Sequence, residues 1–258
     1  MPRRLHLMGR NRLDEYLLLK EASCDFVDKS GFSGGRFGAL RTRVAEMLCL
    51  DETEAGLSEL FQLPPRQLVN PLLSFLYSPD ETTKYRAVSA VGKVVAQMAV
   101  QDMEGARTIM RRLMWSLNDE SGAIGWGSAE AMGEIMARHE QLAEEYFRIL
   151  VSYIRDDGCR LEHDLLECGV LWGLGRLAQA KPHLLKDSFG YIASYLTSTH
   201  PTQRGLAVWA LGFLEEALPR AVLDLLLSDQ TEITVYEQGS LHRRRISELA
   251  ARLPEASG

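Results

Sequence analysis

One glycine pattern recurs four times and limits the architectures open to this chain: KYRAVSAVGKVV at Gly92, GSAEAMGEIM at Gly133, GVLWGLGRLA at Gly175 and GLAVWALGFL at Gly212. The spacings are 41, 42 and 37 residues. A near-fixed period of this size marks a solenoid, in which each unit is one supersecondary element that buries its apolar face only against its neighbours. The chain has 258 residues, near the size where a single core stops growing, and a stack of repeats accounts for that length without separate globular domains.

Each glycine segment reads as the second of two paired helices. The first helices are LVNPLLSFLYSPD, ARTIMRRLMWSLND, YFRILVSYIRDD and FGYIASYLTSTH. Counting from the glycine, positions −4 and −1 are apolar in every copy: Val88/Val91, Ala129/Met132, Leu171/Leu174 and Val208/Leu211. At 100° per residue they share one face, which must pack on the first helix. Position −2 is small throughout (Ala90, Ala131, Gly173, Ala210), as close stacking of neighbouring helices requires. Repeat three carries an insertion, DDGCRLEHDLLEC, between its helices.

The ends differ. Residues 1–35 contain the helical RLDEYLLLKEA and the glycine-serine run VDKSGFSGGRFG, and read as an irregular cap. FGALRTRVAEMLCL and ETEAGLSELFQL follow as helices, the latter stopping before Pro64 and Pro65. After AVLDLLLSD, the stretch TEITVYEQGSLHRRRIS alternates β-formers around a turn and reads as a hairpin, with ISELAARL as a short closing helix. The expected divisions are 1–64 (N-terminal cap), 65–230 (repeat array) and 231–258 (C-terminal cap over the apolar end of the stack).

The A-V-x-A-[VLM]-G signature over residues 65–230 resembles the HEAT-repeat superfamily, and its AxxALG form resembles the phycobilisome-lyase-like HEAT repeats. MRRLMWSLNDESGAIGWG is similar to stretches of uncharacterised bacterial HEAT-like proteins. The resemblance implies an all-α, armadillo-type superhelix of about four to five helix pairs with a small C-terminal β-hairpin cap. It also implies that second helices line a concave surface.

Positions −3 and +1 lie off the apolar side, and there the chain places Ser89/Lys93, Glu130/Glu134, Trp172/Arg176 and Trp209/Phe213. Two readings stay open. In one, these residues form a groove with an acidic-basic middle and a continuous exposed ridge of Trp172, Arg176, Trp209 and Phe213, suited to an extended peptide. In the other, the tryptophans pack beneath the cap and Glu134 pairs with Lys93 or Arg176. The glycine-rich SGAIGWG, with Trp126 and the helix start at Ser128, could bring backbone N–H groups to a ligand, but it equally serves as punctuation between helices.

Composition limits the chemistry. A net charge of −6 argues against general nucleic-acid binding, although residues 1–46 carry 9 Lys or Arg against 6 Asp or Glu. Cys24, Cys49, Cys159 and Cys168 form no CxxC pair, so a reducing, cytoplasmic setting is expected, and no run of 18 apolar residues suggests a membrane span. Cys159, His163 and Cys168 have poor metal spacing, and no metal or cofactor is expected. His139-Glu140 alone matches the His-Glu dipeptides of HEAT-repeat hydroxylases, and the acidic balance disfavours the basic groove of HEAT-like glycosylases.

The expected function is a non-enzymatic scaffold or adaptor that binds another protein or peptide. Its expected contact residues are Trp126, Glu130, Glu134, Trp172, Arg176, Trp209 and Phe213. The alternative is a small-ligand or tetrapyrrole-binding lyase or chaperone working at the Glu130/Glu134/Trp172/Arg176 patch. An enclosed pocket with unpaired carboxylates would favour the alternative, and an open groove with spread aromatics the scaffold.

Overall fold

The computed structural model describes residues 36–49, 62–118 and 125–255. The cap at 1–35, most of ETEAGLSELFQL, and Cys24 and Gly122 lie outside the described residues. What is described is a helical solenoid closed at its C-terminal end by a two-stranded sheet.

After α1 (Arg36–Cys49) come four helical pairs: α2 (Pro65–Ser74) with α3 (Glu81–Gln101), α4 (Met103–Leu117) with α5 (Ser128–Arg138), α6 (Glu140–Ser152) with α7 (Asp164–Ala180), and α8 (Phe189–Ala193) with α9 (Pro201–Leu211). A fifth unit starts with α10 (Arg220–Ser228) and continues as β1 (Glu232–Glu237), β2 (Ser240–Arg245) and α11 (Ile246–Ala250). The starts follow local chemistry. Asp80 caps α3 by accepting from Thr83 N at 2.7 Å, Asp102 caps α4 through Gly105 N at 3.0 Å, and proline occupies the first turn of α2 and α9.

Second helices stack on one another in the order α3, α5, α7, α9, and first helices brace them from outside. All eight residues at positions −4 and −1 are buried, as are the four at −2. Three of the repeat glycines lie where these helices touch. A Cβ on Gly92 would meet the Glu134 side chain, one on Gly133 the backbone of Gly173, and one on Gly175 the Trp209 ring. Each mid-helix glycine costs about 1 kcal/mol of helix propensity, which the close approach offsets. Gly212 differs: it caps α9, and a Cβ there meets only the helix's own last carbonyls at 3.3 and 3.7 Å.

The first helix of repeat four departs from expectation. FGYIASYLTSTH yields only the five-residue α8, flanked by 3-10 turns at Pro182–Leu184, Lys186–Ser188 and Ser194–Thr197. Here the chain closes i→i+3 bonds, such as Leu185 N to Pro182 O at 3.0 Å and Ser198 N to Tyr195 O at 3.0 Å, and so shortens the unit to match its 37-residue spacing.

The hairpin pairs Glu232 with Arg245 through Glu237 with Ser240. Its two-residue turn is Gln238-Gly239, at φ 50° and 86°, the left-handed pair that a tight hairpin requires. Ile233 packs against α9 at Gly205, whose hydrogen leaves the space for it. The hairpin also reaches back along the stack. Tyr236 stacks on Tyr85 of α3 with ring centroids 5.0 Å apart and planes 10° apart, and its carbonyl accepts from Trp172 Nε1 at 3.2 Å. The C-terminal cap therefore covers the concave face as well as the last helix.

Candidate functional site

The residues expected on the concave face are brought together, but most of them lie beneath the hairpin. Trp172 is 1% exposed and Trp209 3%. The expected exposed ridge is therefore corrected: the indoles do neighbour each other, with centroids 6.2 Å apart and planes 17° apart, yet they belong to the core. Tyr236 fills the space above them, Trp209 packs edge-on to the half-buried Phe213, and Trp209 Nε1 donates to the Glu237 carboxylate at 2.5 Å. This burial satisfies both indole N–H groups, as buried tryptophan requires.

Glu130 and Glu134, one turn apart on α5, are also buried, and each has a cationic partner. Glu130 accepts from Lys84 Nζ of α3 at 3.1 Å. Burial opposes the Lys84 charge, but the neighbouring Tyr85 and Glu130 hold its pKa above the ordinary lysine value. Glu134 is shared by two guanidinium groups, Arg138 Nε at 2.6 Å and Arg176 Nε at 2.7 Å, so the pairing with Arg176 holds. Lys93 stays exposed.

Beside Glu134 the cover is incomplete. A cleft of about 230 Å³ opens between α5, α7 and the hairpin turn, lined by Glu134, Arg138, Arg176, Gln179, the edges of Trp172 and Trp209, and the turn residues Glu237 to Gly239. Arg138 and Arg176 have side chains 37% and 25% exposed. At the hairpin end, Glu237 accepts from Arg244 Nη2 at 3.3 Å. Arg138, Glu237 and Gln179 were not singled out from sequence. Only Glu237-Gln-Gly239 carried a signal, as the hairpin turn, and nothing local shows that the turn projects over α7.

Trp126 stands apart. It is half-buried before α5 and makes an edge contact with His163, at a centroid distance of 5.3 Å. Gly127 caps α5 at φ 73°, a conformation that favours glycine, and the Ser128 N–H is taken up by Gly125 O at 3.1 Å. His163 caps α7 by accepting from Leu165 N through Nδ1 at 3.3 Å, while Cys159 is exposed and Cys168 buried. Burial pushes the Cys168 thiol up to about 12. Among the described residues no group of three His, Cys, Asp or Glu is placed to hold a metal ion, and no helix is long and apolar enough to cross a membrane.

The sequence also gave no sign of a second buried carboxylate network. Glu167 of α7 accepts from Arg160 Nε at 2.8 Å, Tyr195 Oη at 2.7 Å and Gln203 Nε2 at 2.8 Å. It ties the repeat-three insertion to repeat four. With three donors on its two oxygens, it serves cohesion.

These features define a repeat helical solenoid. No protein-family model matches the chain. An uncharacterized protein of Archaeoglobus fulgidus is 30% identical over 118 residues, which are 46% of this chain and 56% of that protein, so the match spans little more than half of the relative. Similar solved structures include an engineered protein (TM-score 0.46, 15% identity, 83% of this chain and 94% of that one). A designed armadillo repeat protein aligns at TM-score 0.44 and 16% identity, over 83% and 97% of the two chains. A further designed armadillo repeat protein, in complex with the peptide (KR)4, aligns at 0.45 and 15%, again over 83% and 97%.

Proposed function

We propose that this protein is a non-enzymatic, HEAT-type interaction scaffold that holds an extended segment of a partner protein at the rim where α5, α7 and the hairpin turn meet. The observation that carries the reading is the state of the charged groups on the covered face. Glu130 is paired with Lys84, and Glu134 with Arg138 and Arg176, so both buried carboxylates are held as counter-ions and not poised for proton transfer. The partly exposed guanidinium groups beside an indole edge are the anchor types that protein interfaces favour. Arg176 and the Trp209 edge thus keep a contact role from the original set. Glu130, Glu134 and Trp172 act by holding that rim in place, and Trp126 and Phe213 lie beyond the cleft lining.

Size disfavours the tetrapyrrole alternative at this patch. The cleft of about 230 Å³ is below the roughly 300–1,000 Å³ of sites that enclose drug-sized ligands, and it suits one residue-sized group. We further read the setting as cytoplasmic from a cysteine spacing without a CxxC pair, with 65–230 as the repeat array between two caps. A random-peptide display selection on the full chain tests the scaffold reading. Enriched peptides whose binding falls at least tenfold with Arg176→Ala would support it. No enrichment, or peptides held equally by the variant, would refute it.

A further inference from the structure

Resting on the scaffold reading, we propose that the cleft between α5, α7 and the hairpin turn is a carboxylate-binding subsite, which takes one ionised carboxyl group presented by the partner peptide. Two arginines on the cleft wall share one buried carboxylate. Both reach Glu134 through Nε, Arg138 at 2.6 Å and Arg176 at 2.7 Å. A guanidinium committed through Nε keeps its terminal Nη groups, and Arg176 lends only Nη1 to Gln179, at a long 3.3 Å. One buried carboxylate therefore positions two donor forks on the wall of the same cleft, and a planar carboxylate matches such forks.

Charge narrows the ligand class. The cleft lining carries Arg138 and Arg176 against Glu134 and Glu237, and Arg244, paired with Glu237 outside the lining, adds one positive charge to this corner. A single carboxylate balances it, whereas a phosphate near −2 would overshoot. The walls then add shape. The Trp172 and Trp209 edges and the Gln238-Gly239 turn bound the cleft, leaving room for one residue-sized group.

The carboxyl group could come from a chain end or from an Asp or Glu side chain, and the experiment separates the two. The full chain, with its indole N–H groups observed by NMR, is titrated with four probes: a short acetylated peptide ending in a free carboxylate, the same peptide amidated, the amidated peptide carrying one internal glutamate, and inorganic phosphate. Trp209 Nε1 donates to Glu237 on the cleft wall and reports occupancy. The expected result is saturable movement of the Trp209 signal by at least one carboxylate peptide, at least tenfold weaker binding of the plain amide, and phosphate weaker than the carboxylate. Preference for the free terminus assigns the chain end, and preference for the internal glutamate assigns a side chain.

Arg138→Gln should weaken the carboxylate probe at least tenfold, while Arg138→Lys recovers part of the loss. Arg138 is exposed and Glu134 keeps Arg176 as a partner, so the variant should fold. If it does not, the acid-amide comparison on the native chain still decides. Equal binding of acid and amide, or phosphate as the tightest probe, overturns the subsite proposal but leaves the scaffold reading standing. Display peptides that are lost with Arg176→Ala yet bind without any carboxyl group would lead to the same conclusion.

Discussion

Glu130 and Glu134 sit one turn apart on the same face of α5, and both are almost fully buried, yet they lie in regions of opposite character. Around Glu130 the concave face is sealed: Lys84 reaches the carboxylate at 3.1 Å, and the Tyr85, Trp172 and Tyr236 rings close over the neighbourhood. Around Glu134 it is ajar, because two arginines share one carboxylate and the hairpin turn leaves a cleft. The sealed side has one cation per anion and no room; the open side has spare donors and a small cavity. In this solenoid the open space and spare donors beside a buried acid, and not its burial, separate a binding corner from a stabilising contact.

The largest effect is expected at Glu130. Glu130→Gln keeps the shape but leaves the Lys84 ammonium, 19% exposed, without its counter-ion. Breaking a buried pair costs about 3–5 kcal/mol, and Lys84's residual exposure points to the lower end, about 3 kcal/mol by denaturant unfolding. A loss under about 1 kcal/mol would mean that water reaches this side too. The next effect is at the helix contacts that shape both sides. Gly133→Ala drives a Cβ into the Gly173 backbone and should cost about 2 kcal/mol, whereas Gly212→Ala, which meets only its own helix end, should stay within about 0.5 kcal/mol. Equal costs at the two positions would show that α5 and α7 do not touch there.

The smallest stability change belongs to the open side. Glu134→Gln releases Arg138 and Arg176, which already reach solvent, so about 1 kcal/mol is expected. A stability loss as large as that of Glu130→Gln would erase the distinction between the two sides.

Much of the fold was legible because periodicity reports packing directly. The −4, −1 and −2 positions and three of the four glycine contacts follow from side-chain size at fixed helical phase, and the hairpin turn follows from alternating strand residues around a glycine. The site was legible only in part. Helical phase placed Glu130, Glu134, Trp172, Arg176 and Trp209 on one face, and all five do lie together there. It could not show that this face is covered, since Tyr236 meets Tyr85 across about 150 residues of chain, a contact that no local pattern encodes. For the same reason Trp172 and Trp209 read as groove residues: position −3 points toward solvent only where nothing folds back over it. Trp115, 77% exposed on α4, shows the converse, a tryptophan on the outer row that nothing covers.

The central claim is that the C-terminal hairpin closes the concave face over Trp172 and Trp209. Hydrogen exchange at the four indole N–H groups, resolved by NMR on the full chain, tests it most directly. With Trp172 Nε1 bonded to Tyr236 O at 3.2 Å and Trp209 Nε1 bonded to Glu237 at 2.5 Å, these two protons should exchange at least a hundredfold more slowly than that of Trp115. Exchange at Trp172 and Trp209 as fast as at Trp115 would mean that the hairpin does not cover them, and the closed face would have to be abandoned.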